Sequence, residues 1–293
     1  MNEMCQTRIS EYRVFIEEQL KSFYSQFNKE PQQLLFDAVQ YSLLSGGKRL
    51  RPIFTLEFCR MCGEDWKKSA PLALAVEMIQ TYSLIHDDLP CMDDDDLRRG
   101  RPTNHKVYGE GMAVLAGDAL LTDAFLMASA TKLKCPEDMA LAIRTLAQNA
   151  GSLGMVGGQV LDISSEERVL TEEEVLAVQS RKTGALIKAA CVLGVIAAGG
   201  TQEQLDAAGS FASALGLAFQ IRDDMLDVIG NEQELGKGVG TDAAKNTFVR
   251  LYGLEKCEEL VQRFTDDALR ALEAFPDHRF LRDLALQLTQ RTV

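Results

Sequence analysis

The chain has 293 residues, 46% of them hydrophobic, with 43 acidic against 31 basic side chains and a formal net charge of −12. That length and apolar content support a sizeable buried core. So acidic a balance argues against non-specific binding to nucleic acid or anionic membrane, and any anionic substrate needs a local basic patch.

Met1 to Arg13 is polar, with no apolar run leading to a cleavage site, so no secretory signal is expected and the expected compartment is the cytoplasm. Next comes Ser45-Gly46-Gly47-Lys48-Arg49-Leu50-Arg51-Pro52, whose glycines let backbone approach a phosphate, with Lys48 and Arg51 three residues apart on one side. Seven scattered cysteines fit reduced thiols, and Cys59 and Cys62, one helical turn apart, read as structural. From Leu72 to Asp88 apolar residues recur at helical intervals, predicting a helix that ends in carboxylates.

That end is Asp87-Asp88-Leu89-Pro90-Cys91-Met92-Asp93. Asp87 and Asp93 are six apart, a rotation of about 240° on a regular helix, so a straight helix separates them. Pro90 disfavours helix at Leu89 and removes a donor, letting the chain bulge and return Asp93 towards Asp87. Asp94, Asp95 and Asp96 read equally well as loop or capping residues. Arg98 and Arg99 follow directly, with guanidinium groups suited to bidentate bonds with phosphate oxygens.

Thr171 before Glu172, Glu173 and Glu174 is a capping-box helix start. Lys182 and Thr183 are further polar candidates, each also readable as a surface residue. The longest apolar run, Ala189 to Gly200, is too short to span a bilayer and reads as a buried helix. Phe211 to Ile229 repeats the helical pattern and ends in Asp223-Asp224-Met225-Leu226-Asp227, where Asp223 and Asp227, four apart, share one face. The glycine-rich stretch 235–242, around Lys237, reads as a mobile loop, with Lys245 beyond it. No proline interrupts residues 137–275, strand signals are absent, and no repeat or linker divides the chain. A single all-α domain over 1–293, of about ten or more helices, is expected.

Carboxylates crowded beside apolar surface resist ionisation unless cations compensate them. Oxygen-only clusters suit Mg2+, which commonly bridges one or two carboxylates to substrate phosphates.

These segments together resemble the trans-isoprenyl diphosphate synthases, specifically the bacterial short-chain farnesyl diphosphate synthase group. The resemblance runs through Gly46 to Pro52, Tyr82-Ser83-Leu84-Ile85-His86-Asp87-Asp88, the aspartates to Asp96 and Leu97-Arg98-Arg99-Gly100. It continues at Ala116-Gly117-Asp118-Ala119-Leu120, Gly157-Gly158-Gln159, Lys182-Thr183-Gly184 and Phe219-Gln220. It implies helices around a deep central cavity, a homodimer, and head-to-tail condensation of an allylic diphosphate (dimethylallyl or geranyl) with isopentenyl diphosphate.

By that likeness Asp87, Asp93 and Asp223, supported by Asp88, Asp224 and Asp227, hold about three Mg2+ ions on the allylic diphosphate. Arg98, Lys182, Lys237 and Lys245 match contacts to the same group. Gly47, Lys48, Arg51, Gln80 and Arg99 match the isopentenyl diphosphate site. Thr183 and Gln220, with the Lys182 carbonyl, match oxygen dipoles that face an allylic carbocation. Tyr82, about 7.5 Å deeper than Asp87 along a continuous helix, is the expected chain-length floor, implying a fifteen-carbon product.

Two positions depart from the family pattern. Gln80 replaces a common histidine and cannot become cationic, and Val249 replaces a proline. The nearest alternative is a geranylgeranyl or other short-chain synthase, sharing every site residue. A class I terpene cyclase has no need for the Lys48 and Arg51 site, and a non-catalytic partner subunit has no reason to keep both carboxylate clusters.

Overall fold

The expected Ala-, Leu- and Glu-rich periodic segments form helices throughout a computed structural model that describes residues 3–27, 29–165, 168–229 and 247–291. In chain order these are α1 (Glu3–Ser25), α2 (Gln33–Leu43), α3 (Leu50–Met61), α4 (Ala70–Asp87), α5 (Asn104–Tyr108), α6 (Glu110–Ser129) and α7 (Pro136–Ala150). They continue with α8 (Met155–Ile163), α9 (Glu172–Gln179), α10 (Ala185–Ala198), α11 (Gln202–Ile229), α12 (Phe248–Ala271) and α13 (Arg279–Thr289). A π-helical turn, Ser180–Gly184, joins α9 to α10. Among the described residues the only strands are the two-residue β1 (Leu97–Arg98) and β2 (Arg101–Pro102), paired antiparallel with Leu97 opposite Pro102. The fold is all-α, as its sequence pattern predicts.

α10 is buried nearly all round, the signature of a helix at the centre of a core. It lies directly on α3: the Thr55 hydroxyl donates to the Ala190 carbonyl at 2.9 Å, and a Cβ on Gly194 would stand 2.3 Å from the Thr55 carbonyl oxygen. Phe58 packs edge-on against Phe211 of α11 and against Phe275, fastening the central pair to the rest. Towards the amino terminus, buried Glu57 accepts from the Tyr12 hydroxyl at 2.7 Å and from Arg60, so α1 and α3 are locked by a satisfied charge.

Local signals work where the sequence carries them. The Thr171 side chain accepts from the Glu174 amide and the Glu174 carboxylate accepts from Thr171, completing the predicted capping box. One apolar segment was not anticipated: α6, rather than Ala189 to Gly200, is long and apolar enough to cross a membrane by length and composition. Its Ala113, Ala116, Gly117, Leu120 and Ala124 are buried in the core, whereas Val114, Leu115 and Leu126 are exposed.

Candidate active site

Two helix ends carry the acidic residues. α4 stops at Asp87, three residues before Pro90, and the chain doubles back: the Met92 amide donates to Leu89 and the Asp93 amide to the Asp87 carbonyl at 2.9 Å. This is the bulge expected from Pro90, and it returns Asp93 to Asp87. Asp94 then adopts φ 50°, in the left-handed region that aspartate tolerates better than most residues.

The backbone runs on into β1 and β2, whose two-residue turn has Arg99 and Gly100 at φ 55° and 73°, both left-handed as a type I′ hairpin requires. Arg98 is thereby aimed back at the acidic loop. Its Nε donates to Asp88 at 2.8 Å and its Nη2 to Asp95 at 3.0 Å. Asp88 is consequently buried against Arg98, away from the cavity that Asp87 lines.

That cavity has a volume of about 590 Å3. Arg51 of α3, Gln80, Tyr82 and Asp87 of α4, and Lys182 and Thr183 of the π turn all line it, above an apolar wall of Leu89, Met92, Val114, Met155, Val156, Val160 and Ile163. Tyr82 is buried, with its ring perpendicular to that of His86 at 5.7 Å. The His86 ring is seated by α6: its Nε2 lies 3.1 Å from the Val114 carbonyl, and any Cβ on Gly117 would collide with it. Gly158 has the same kind of duty on the opposite wall, where a Cβ would stand 2.2 Å from the Lys182 amide nitrogen. The glycine lets α8 touch the π turn, and the Lys182 ammonium donates to Asp162 of α8 at 2.6 Å.

Burial, opposed by Lys182 and Arg98 and reinforced by Asp93, pushes the Asp87 carboxyl up to about 6. Its carboxylate makes no hydrogen bond or ion pair among the described residues. Nor do three His, Cys, Asp or Glu side chains among them converge on one point that could hold a metal. The donors nevertheless fit Mg2+: hard oxygens only, under-compensated, and too few to saturate an ion without oxygens from a phosphate.

The second cluster is built differently. Asp224 is buried in α11, accepting from the Phe248 amide at 3.0 Å at the first residue of α12 and from the Gln220 amide at 3.0 Å. The Thr183 hydroxyl donates to the Gln220 oxygen at 3.4 Å, so Thr183, Gln220 and Asp224 form one chain across to the π turn. Asp223 is ion-paired with Arg291, whose guanidinium lies over the Phe219 ring at 4.5 Å. Asp227 is exposed near the end of α11. Arg291 escaped the sequence reading, since a lone arginine near the carboxy terminus carries no spacing signal.

The basic side assembles around the left-handed turn at Gly46, Gly47 and Arg49. Arg99 donates to Ser45 at 3.2 Å and to the Gly46 carbonyl, and its guanidinium occupies the space where a Cβ on Gly47 would be. Lys48 is lowered by burial and by the positive charge of Arg291. Arg51 projects into the cavity with its Nε buried and unpartnered, and burial lowers it to about 10 against the opposing charge of Glu77. Lys237, Lys245 and the glycine-rich stretch 235–242 lie outside the described residues.

Residues 32–275 match the polyprenyl synthetase family. Among curated proteins the chain is 48% identical over 246 residues to geranylgeranyl pyrophosphate synthase 3, chloroplastic, of Arabidopsis thaliana, covering 82% of this chain and 68% of that one. It is 44% identical over 262 residues to the chloroplastic geranylgeranyl pyrophosphate synthase of Capsicum annuum, covering 88% and 71%. The apo crystal structure of a FPP/GFPP synthase from Zymomonas mobilis superposes with a TM-score of 0.86 at 34% identity, over 97% of this chain and 98% of that one. With the helices, the doubled-back acidic loop and the glycine-lysine-arginine turn in agreement, the chain belongs to the polyprenyl synthetase family of trans-isoprenyl diphosphate synthases.

Proposed function

We infer that the protein is a Mg2+-dependent short-chain prenyltransferase, joining an allylic diphosphate to isopentenyl diphosphate with release of diphosphate. One observation carries this reading: one cavity of about 590 Å3 is lined both by Asp87, Lys182, Thr183, Arg51 and Gln80 and by the apolar side chains of Leu89, Met92, Val114, Met155, Val156, Val160 and Ile163. That layout suits a molecule with a charged head and a hydrocarbon tail.

Asp87 and Asp93, with Asp223 on α11, are the residues proposed to hold Mg2+; bound there, the ion neutralises charge on the departing diphosphate. Lys182 and Arg98 donate to the same oxygens, Lys182 exchanging Asp162 for the diphosphate. Thr183, Gln220 and the Lys182 carbonyl offer oxygen dipoles to the allylic cation, with Asp224 orienting the Gln220 amide. Arg51, Lys48, Gln80 and Arg99 position the second diphosphate so that its double bond meets the cation. The new C–C bond forms there, and a proton is lost to the released diphosphate. The apolar wall keeps water from the cation.

The named relatives support the twenty-carbon geranylgeranyl product better than the fifteen-carbon product expected from the sequence. A farnesyl product remains as a second reading because the Tyr82 ring, buried against His86, lines the cavity five residues before Asp87 on α4. Chromatography of products from dimethylallyl and geranyl starters separates the two. If Tyr82 is the floor, Tyr82→Ala lengthens the product; an unchanged distribution removes Tyr82 from that role. A homodimer is supported by the exposed apolar residues Leu115 and Leu126 of α6 and Leu153.

A further inference from the structure

Beneath the isopentenyl diphosphate subsite lies a buried ion pair that the reaction scheme does not use. Arg49 stands between Lys48 and Arg51, is 3% exposed, and has φ 52°, an unfavourable conformation for a residue with a Cβ. Its guanidinium is held from three helices. Nη1 donates to Glu77 of α4 at 2.5 Å, Nη2 to the Leu43 carbonyl at the end of α2 at 2.7 Å, and Nε lies 3.8 Å from Glu17 of α1. The Arg49 carbonyl in turn accepts the Ile53 amide at 3.1 Å, starting α3.

Glu77 is 4% exposed and sits one helical turn before Gln80, which lines the cavity beside Arg51. Its negative charge also opposes the burial-driven lowering of Arg51 and of Arg99, while Arg49 adds to the lowering of Arg99. One buried carboxylate thus faces Arg49, Arg51 and Arg99, with Lys48 on the same turn. Without it, three guanidinium groups repel one another until a substrate anion binds to balance them. The two cations presented to solvent and cavity, Lys48 and Arg51, flank the residue it grips.

We propose that Glu77 is a positioning residue for isopentenyl diphosphate: through Arg49 it fixes the left-handed turn that presents Lys48 and Arg51, and holds the arginines together before the diphosphate arrives. It does not touch substrate. The allylic subsite, built from Asp87, Lys182 and Arg98, is independent of this pair. The proposal rests on the prenyltransferase reading above and adds a role to a residue outside its reacting groups.

The test is steady-state kinetics of Glu77→Gln, which keeps an acceptor for Arg49 and removes only the charge, beside the unaltered protein. The expected result is a KM for isopentenyl diphosphate raised about tenfold or more, with the KM for geranyl diphosphate within about twofold. Glu77→Asp recovers part of that loss, a rescue that packing alone does not produce. Arg49→Lys, which keeps a charge but cannot grip Glu77 and Leu43 together, gives the same split and serves if Glu77→Gln does not fold. Equal shifts in both KM values, or a lowered melting temperature with both KM values unchanged, overturn the proposal. Calorimetric titration with isopentenyl diphosphate alone separates the two levels. If the unaltered protein binds it and Glu77→Gln binds it equally well, the positioning role falls and the function stands. If the unaltered protein neither binds nor consumes it, both fall.

Discussion

The two aspartate clusters look alike in the sequence and occupy opposite physical states. At the end of α4, Asp87 is half-buried beside Asp93 with no ion-pair partner among the described residues, and its carboxyl is pushed up to about 6. At the end of α11, Asp224 holds the first amide of α12 and the Gln220 side chain, and Asp223 is paired with Arg291. The first wall keeps an unpaid electrostatic debt that a metal–diphosphate pair can settle; the second spends part of its charge on the fold. A carboxylate with satisfied partners supports structure, whereas one left under-compensated in a cavity is poised for a ligand.

Substitutions on the two walls should therefore separate activity from stability. Asp87→Asn is expected to lower turnover by about 100- to 1000-fold, as losing a group aimed at developing charge does. It should also raise the melting temperature of the metal-free protein at pH 8. The sign follows from the shift: the folded-state value lies above the ordinary 3.8, so Asp87 favours folding fully below about pH 4. That contribution is lost as pH rises through about 6, and the ionised group is then the costly one. Thermal melts of the metal-free protein between pH 4 and 8 should show this decline, with a shallower slope in Asp87→Asn. Equal slopes would mean that Asp87 is not the group titrating.

Asp224→Ala is expected to act first on stability, costing about 1–3 kcal/mol by leaving the buried Phe248 amide and the Gln220 side chain without their acceptor, and to lower turnover only through the loosened Gln220 amide. Denaturant unfolding measures it. Gly158→Ala tests the wall between them: a methyl group there meets the Lys182 backbone, so α8 and the π turn must part, at about 1–3 kcal/mol and with reduced turnover. A smaller effect, about 1 kcal/mol, is expected for Thr171→Ala, which removes a cap far from either wall and should leave KM values unchanged.

Much of this contrast was hidden in the sequence for a physical reason. The Thr171 cap, the helix before Asp87 and the return at Pro90 depend on neighbouring residues, and spacing revealed them. The all-α class followed equally directly, because helical periodicity and the lack of strand signals are properties of short windows. Asp88 turning to Arg98 depends on a hairpin whose turn residues were read for other reasons, Arg99 as a phosphate contact and Gly100 only as part of the family motif. The capping role of Asp224 joins α11 to a helix that begins 24 positions later, and Arg291 reaches Asp223 from the far end of the chain. Glu77 looked like one polar residue in an apolar helix, and only its packing against Arg49 gives it meaning. Gly117 and Gly158 showed as motif glycines, but their reason, room for the His86 ring and for the Lys182 backbone, is tertiary.

The most direct measurement is allylic diphosphate turnover in the presence of isopentenyl diphosphate, followed by prenyl product and released diphosphate together, with Mg2+ and with a chelator. The account predicts equimolar product and diphosphate with Mg2+, loss of both with chelator, and loss of both in Asp87→Asn. Turnover that survives the chelator, or that survives Asp87→Asn undiminished, would contradict it.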